Sequence, residues 1–181
     1  MHRGKIILIL SCMFSGKTET LITYARRYQF AKKNVVLVKY SKDVRYAQDE
    51  KIYSHNRNSI SATFSCESLT NLMTEDRIKN SDVILIDEIQ FFPDAPQVCD
   101  KLANDGKIVI IAGLNGNYKR EEFPVISKLI PLVEEIKMMS SVCTICSEDA
   151  HFTKRIISSE DIEIIGGIET YQPMCRSCFE N

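Results

Sequence analysis

Short apolar runs separated by amphipathic or polar stretches set the rhythm of this chain. The first, Lys5-Ile6-Ile7-Leu8-Ile9-Leu10, is continuously apolar after its lysine. That predicts a strand over Gly4–Leu10 buried on both faces, as in a parallel sheet. Leu21, Ala25 and Tyr28 then recur at i, i+4 and i+7, which predicts an amphipathic helix from Lys17 to about Lys33. Its Arg26, Arg27, Lys32 and Lys33 read as a solvated face, with phosphate binding as the alternative. A second apolar run, Val35-Val36-Leu37-Val38, marks a strand over Asn34–Tyr40. The stretch 41–61 is polar and lacks periodicity, and a loop of that length in a compact domain is usually functional or mobile. Beyond it the pattern predicts a short helix over Ser68–Arg77, a strand within Ser81–Ile86, a helix over Ala95–Asn104 and a strand over Lys107–Ala112. Strands alternating with helices imply a mostly parallel α/β sheet, whose ligands bind beyond the carboxyl ends of the strands.

Three segments with chemical potential follow strands in this scheme. Ser11-Cys12-Met13-Phe14-Ser15-Gly16-Lys17-Thr18 lies between the first strand and the first helix. Strand, turn and Gly-Lys-Thr opening a helix is the context of a phosphate-binding P-loop. Its inward-pointing N–H groups and the helix N-terminus would hold phosphate oxygens. Lys17 would sit on the β- and γ-phosphates, and the Thr18 hydroxyl would be a ligand of Mg²⁺. Ser11 stands where the motif has glycine, so a Cβ is expected to crowd the turn or strain its backbone. The second segment, Asp82-Val83-Ile84-Leu85-Ile86-Asp87-Glu88, is an apolar strand ending in acids. Asp87 would bind Mg²⁺, through water, while Glu88 points differently and could act as a base. The alternative is a carboxylate pair that merely ends a strand in solvent. The turn-rich loop Gly113–Arg120 is the third segment.

Composition narrows the field without naming a function. A chain of 181 residues fits one domain or one plus a small appendage. With 44% hydrophobic and 26% charged residues it is an ordinary globular sequence, and a net charge of −1 gives no global reason to expect nucleic-acid binding. His2, Arg3 and Lys5 followed by Ile6–Leu10 and Ser11-Cys12 loosely imitate a lipoprotein signal. A secretory core needs about 7–15 apolar residues, and the run is shorter. No run approaches the roughly 18 apolar residues of a membrane span.

Four of the seven cysteines form two C-x-x-C pairs, Cys143/Cys146 and Cys175/Cys178, bracketing 28 residues. Four thiolates satisfy tetrahedral Zn²⁺, so the pairs read as a structural zinc site, with two disulfides or a thiol-redox pair as the alternatives. Paired thiols of this type point to a reducing compartment, hence a cytoplasm. Cys12, Cys66 and Cys99 read as buried apolar fillers, with Cys12 open to oxidation because of its place in the P-loop. His151 lies between the pairs but is not needed to close the zinc shell.

Taken jointly, these motifs resemble the type II thymidine kinases of animals, many bacteria and large DNA viruses. The resemblance covers nearly the whole chain. It is carried by Met13–Thr18, Lys39-Tyr40, Asp87-Glu88-x-Gln90-Phe91-Phe92-Pro93, Leu114-x-Gly116, both C-x-x-C pairs, Ile164-Ile165-Gly166-Gly167 and Tyr171-x-x-x-Cys175-Arg176-x-Cys178. It implies a P-loop NTPase-like sheet flanked by helices over 1–140 and a small zinc-ribbon-like subdomain over 141–181 carrying a lasso loop. The implied activity is transfer of the ATP γ-phosphoryl group to the 5′-hydroxyl of thymidine. By resemblance Glu88 is the general base, and ATP with Mg²⁺ is held by Ser11, Cys12, Met13, Phe14, Ser15, Gly16, Lys17, Thr18, Asp87 and Gln90. Thymidine would contact Arg57, Phe91, Leu114, Tyr118, Phe123 and a lasso of Ile162, Glu163, Ile164, Ile165 and Gly166, with Tyr171 packed nearby. A homotetramer inhibited by thymidine triphosphate is implied too, without membrane or stable nucleic-acid partners. Four positions depart from the family pattern: Ser11, Asn56 for an aspartate near the metal, Ile89 for a glycine, and Asn115 for an aspartate. The departures leave a catalytically impaired homologue as one alternative. A P-loop ATPase with a nucleic-acid-binding zinc ribbon is the other, against which stand the short chain and the lack of a basic, aromatic-interleaved stripe.

Overall fold

The computed structural model describes residues 4–43, 51–53, 59–158, 164 and 166–180. In chain order these form β1 (Lys5–Ser11), α1 (Lys17–Phe30), β2 (Val35–Tyr40), β3 (Lys51–Tyr53), β4 (Ser59–Ser61), β5 (Phe64–Cys66), α2 (Asp76–Lys79), β6 (Val83–Ile86), α3 (Ala95–Asn104), β7 (Ile108–Leu114), α4 (Pro124–Leu129) and β8 (Glu135–Met138). The C-terminal part adds β9 (Ser141–Val142), β10 (Asp149–Ala150), β11 (Phe152–Arg155), β12 (Tyr171–Met174) and α5 (Arg176–Glu180).

Six strands build one parallel sheet in the order β5-β2-β6-β7-β1-β8. The continuous apolar runs are explained by burial on both faces. Alternate residues of a strand point to opposite sides. From β1 and β7, Ile6, Leu8, Val109 and Ile111 join the layer containing Val98, Leu102, Ile126 and Leu129 of α3 and α4. Ile7, Ile9, Ile110 and Ala112 face Leu21 and Ala25 of α1 on the other side. Each fully buried aliphatic side chain contributes roughly 1.5–3 kcal/mol. A polar substitution in either set would strike a whole layer.

Several boundaries differ from the sequence reading. Helix α1 stops at Phe30, because Lys32 turns into the left-handed region at φ 58°. The next segment is then fixed by the Asn34 N–H donating to Asp82 Oδ2 at 2.8 Å. The stretch expected to be structureless contains a small antiparallel hairpin of β3 and β4. The helix expected over Ser68–Arg77 is split into a 3-10 turn at Thr70–Leu72 and the short α2. Asp94 stabilises the split: its Oδ2 accepts bonds from Ser68 Oγ, Thr70 N and Thr70 Oγ1 at 2.7–2.8 Å. Strand β7 continues to Leu114, past its predicted end at Ala112. Among the described residues no helix is long and apolar enough to cross a membrane.

The residues after 140 form two small antiparallel ladders, β9 with β10 and β11 with β12. Among the described residues their buried apolar cluster is slight: Cys143, Ala150 and Met174, with Cys175, Cys178 and Phe179 packed against it.

Candidate active site at the carboxyl end of the sheet

The turn after β1 has the form the motif predicts. Phe14 (φ 62°) and Gly16 (φ 82°) take left-handed conformations, and Gly16 precedes the first turn of α1. Lys17 is buried and curls back over the loop, its Nζ donating to Cys12 O at 2.6 Å. Thr18 Oγ1 donates to Asp87 Oδ2 at 3.0 Å, so the P-loop hydroxyl and the acid ending β6 meet as expected. A hydroxyl and a carboxylate at that distance are hard oxygen donors suited to Mg²⁺.

Two expectations about the loop need correction. Ser11 causes no crowding: it is the last residue of β1, outside the left-handed region, with its hydroxyl donating to Met139 O at 2.6 Å. Cys12 is not an exposed, reactive thiol. It is fully buried, burial pushes its pKa up despite nearby Lys17, and its Sγ donates to Ala150 O at 3.3 Å. A protonated buried thiol is inert toward oxidants. Burial likewise pushes Cys99 up to about 12 and Cys66 up to about 11, in keeping with their reading as fillers.

These contacts belong to a wider seam between the P-loop and the C-terminal ladders. Thr153 Oγ1 accepts from Met13 N at 3.0 Å, and Ser141 Oγ donates to Phe14 O at 2.9 Å. Asn115 Nδ2 donates to His151 O at 3.1 Å. An aspartate at 115, as in the family pattern, could not make that donation. The departure therefore has a structural use.

Glu88 follows Asp87 with φ 53° and ψ 45°, a conformation that costs a non-glycine residue about 1–3 kcal/mol and is concentrated at functional sites. Its N–H donates to Asp87 Oδ1 at 3.0 Å, and Gln90 Nε2 donates to Glu88 Oε2 at 2.6 Å. Gln90 Oε1 in turn accepts the Leu114 N–H at 3.2 Å. Gln90, grouped by resemblance with the nucleotide ligands, thus has its amide between Glu88 and β7. Ile89 is fully buried against Gly113, where an added Cβ would lie 2.7 Å from Ile89 Cγ2. The isoleucine that departs from the family pattern is accommodated by a glycine across the gap.

A cavity of about 300 Å³ opens beside Glu88. From the expected residues it is lined by Met13, Glu88, Phe91, Leu114, Tyr118, Phe123, Ile164, Gly166 and Tyr171. Tyr40, Lys42, Asp43, Gly116, Asn117 and Thr153 line it as well and were not among the expected contacts. Tyr40 stacks on Phe91 with ring centroids 5.0 Å apart. Its place at the carboxyl end of β2 was a usable signal. Asn117 is buried and shapes the loop after β7, its Oδ1 accepting the Lys119 and Glu121 N–H groups. The Tyr171 hydroxyl donates to Ile164 O at 3.0 Å and accepts from Ile164 N at 3.3 Å and Arg155 at 2.9 Å. Gly166 is required where it stands, since a Cβ would fall 2.3 Å from Thr170 Oγ1. The expected contacts Arg57, Ile162, Glu163 and Ile165, and the departure at Asn56, lie outside the described residues.

Cys143, Cys146, Cys175 and Cys178 bring their Sγ atoms within 4.8 Å of one another. Sulfurs on a tetrahedral zinc at about 2.3 Å stand roughly 3.8 Å apart, so the donor set fits. Cys146 and Cys175 are 3.6 Å apart. The backbone N–H groups of Cys175 and Cys146 pull the Cys143 thiol down, while the neighbouring thiols push Cys146 and Cys178 up, so the four would ionise together only with a cation among them.

Comparison with known proteins agrees with this geometry. The thymidine kinase family model matches residues 4–179. The thymidine kinase of Sheeppox virus (strain KS-1) is 45% identical, covering 99% of this chain and 98% of that protein. Thymidine kinase 1 of Dictyostelium discoideum is 43% identical over 98% of this chain and 78% of its own. In fold, the chain is similar to the flagellar accessory protein FlaH from Methanocaldococcus jannaschii, with a TM-score of 0.54 at 13% identity, covering 96% of this chain and 88% of that one. With a family match over nearly its full length and the P-loop, paired acids and cavity in one place, the chain belongs to the thymidine kinase family.

Proposed function

We propose that this thymidine kinase uses ATP as donor, transferring its γ-phosphoryl group to the 5′-hydroxyl of thymidine with Glu88 as general base. One observation carries the reading: Asp87 and Glu88 are adjacent yet serve opposite sides. Asp87 bonds the P-loop through Thr18, whereas Glu88 lines the cavity with Phe91, Leu114 and Phe123. A phosphate chain over the loop and a nucleoside in the cavity would meet at this junction. Lys17 and the loop N–H groups would neutralise phosphate charge, which is most of the work in phosphoryl transfer. Thr18 and Asp87 would hold Mg²⁺, which when bound offsets charge developing between the β- and γ-phosphates. The pyrimidine would lie in the aromatic and aliphatic cavity that Ile164 and Gly166 help to line, and Glu88 would accept the hydroxyl proton.

The four thiols would hold a structural zinc, joining the end of β9 to α5. We infer the division at residue 140, a cytoplasmic location, a homotetramer and inhibition by thymidine triphosphate from the family, together with the thiol chemistry for the location. The direct test is thymidine- and ATP-dependent formation of thymidine monophosphate by the purified chain. Glu88→Gln should then lower turnover by roughly 10²–10⁴ while both substrates still bind. Wild-type turnover in that variant would rule Glu88 out as the base.

A further inference from the structure

We propose that Gln90 is a positioning residue that holds the Glu88 carboxylate in its reactive orientation; the inference rests on Glu88 being the general base. The geometry is specific. Gln90 is 5% exposed and lies in the 3-10 turn Ile89–Phe91, directly after Glu88. Its amide is used at both ends: Nε2 donates to Glu88 Oε2 at 2.6 Å, and Oε1 accepts the Leu114 N–H at 3.2 Å. The second bond anchors the amide to the end of β7, so the first is made by a group that cannot rotate freely. Gly113 makes room for the bridge, because a Cβ there would come within 2.9 Å of Gln90 Oε1. Leu114 also lines the cavity, so the same bridge ties the cavity wall to the carboxylate.

A glutamate side chain needs such a tether to act as a base. Three side-chain torsions separate its carboxylate from the backbone, and the left-handed backbone of Glu88 fixes only where the side chain begins. Proton abstraction requires a near-attack geometry, and a displacement of about 1 Å can cost on the order of a hundredfold in rate. A charge-assisted bond of 2.6 Å from a buried, anchored amide constrains the carboxylate in this way.

The test compares kcat and KM for thymidine and ATP in Gln90→Met and Gln90→Glu. Methionine keeps length and volume but removes both bonds. Glutamate keeps an acceptor for the Leu114 N–H and removes the donor to Glu88. Both variants are expected to lower kcat on the order of tenfold to a hundredfold, with each KM within about twofold of wild type. In a Glu88→Gln background, Gln90→Met should cause no further loss of kcat, because the group it positions is already gone. A general structural role would instead lower kcat by the same factor in both backgrounds, and that result overturns the proposal. So does wild-type kcat in Gln90→Met beside a crippled Glu88→Gln enzyme. Full turnover in Glu88→Gln would remove the base assignment itself, a separate failure read from a separate protein. If Gln90→Met does not fold, Gln90→Glu carries the test, since it preserves the anchor on β7.

Discussion

The two sides of the cavity are held in place by different physics. Glu88, Phe91, Leu114 and Phe123 come from elements packed on the six-stranded sheet, with apolar layers on both faces. Thr153, Ile164, Gly166 and Tyr171 come from the C-terminal part, whose buried cluster is Cys143, Ala150 and Met174. So small a cluster cannot offset the conformational entropy of its loops, and small units of this kind depend on a metal or a larger neighbour. Here the thiol cluster is on one side and the seam to the P-loop on the other. The difference implies that a kinase can have a rigid chemical floor and a cover of separately set stability.

Disabling the four-thiol cluster is the strongest way to test that contrast. Chelation, or Cys146→Ser, should abolish saturable thymidine binding, raising the apparent dissociation constant by roughly a hundredfold or more while the sheet keeps its circular-dichroism signal. Metal analysis of the untreated protein should find zinc in stoichiometric amount. Loss of the whole sheet on chelation would show that the two supports are one. The converse experiment strikes the floor: Ile9→Ala, at a fully buried position of β1, should cost about 2–5 kcal/mol in denaturant unfolding. Ile145→Ala, at a position 66% exposed between Cys143 and Cys146, should change global stability by less than about 0.5 kcal/mol.

A narrower cut acts on the cover alone. Tyr171→Phe removes the hydroxyl that bonds the Ile164 main chain in both directions. Losing it should raise KM for thymidine by roughly tenfold with kcat little altered, given about 1–1.5 kcal/mol for bonds of this type. An unchanged KM would mean that the segment is held elsewhere.

The floor was the more legible region in the sequence, for the same reason that it is stable. Strands buried on both faces must be continuously apolar, so β1, β2, β6 and β7 were visible with their loops in the right places. Edge strand β8, Glu135-Ile136-Lys137-Met138, has no such run: it pairs only with β1, and none of its four residues is buried. The ladders after 140 are too short for any periodicity to emerge. At the site, motif residues were found where chemistry restricts the choice, as at Lys17, Thr18, Asp87 and the four cysteines. Tyr40 was within a recognised motif but not counted as a cavity residue, whereas Asn117 and Thr153 were missed because each is ordinary in isolation. Ser11 and Asn115 carry the same lesson. Measured against a motif they were departures, yet their partners, Met139 O and His151 O, lie across the seam.

Ser11 gives the smallest and most discriminating prediction, because the two accounts of it differ in sign. If its Cβ crowded the P-loop, Ser11→Gly would relieve strain and tighten ATP binding. The structure argues the reverse. Ser11 is fully buried at the end of β1, and its hydroxyl reaches Met139 O at 2.6 Å, just ahead of Ser141, whose own hydroxyl reaches Phe14 O at 2.9 Å. Two serines thus fasten the P-loop to the segment leading into Cys143, the first thiol of the cluster. Ser11→Ala removes only the hydrogen bond, about 1 kcal/mol, whereas Ser11→Gly adds roughly 0.5–1 kcal/mol of backbone entropy. ATP affinity measured by calorimetry should therefore fall severalfold in the alanine variant and slightly further in the glycine variant. Ser141→Ala should weaken ATP to a degree similar to Ser11→Ala, and the double alanine variant should fall short of additive, since both bonds hold one loop. Tighter ATP binding by Ser11→Gly would restore the crowding account and remove the seam from the list of what supports the floor.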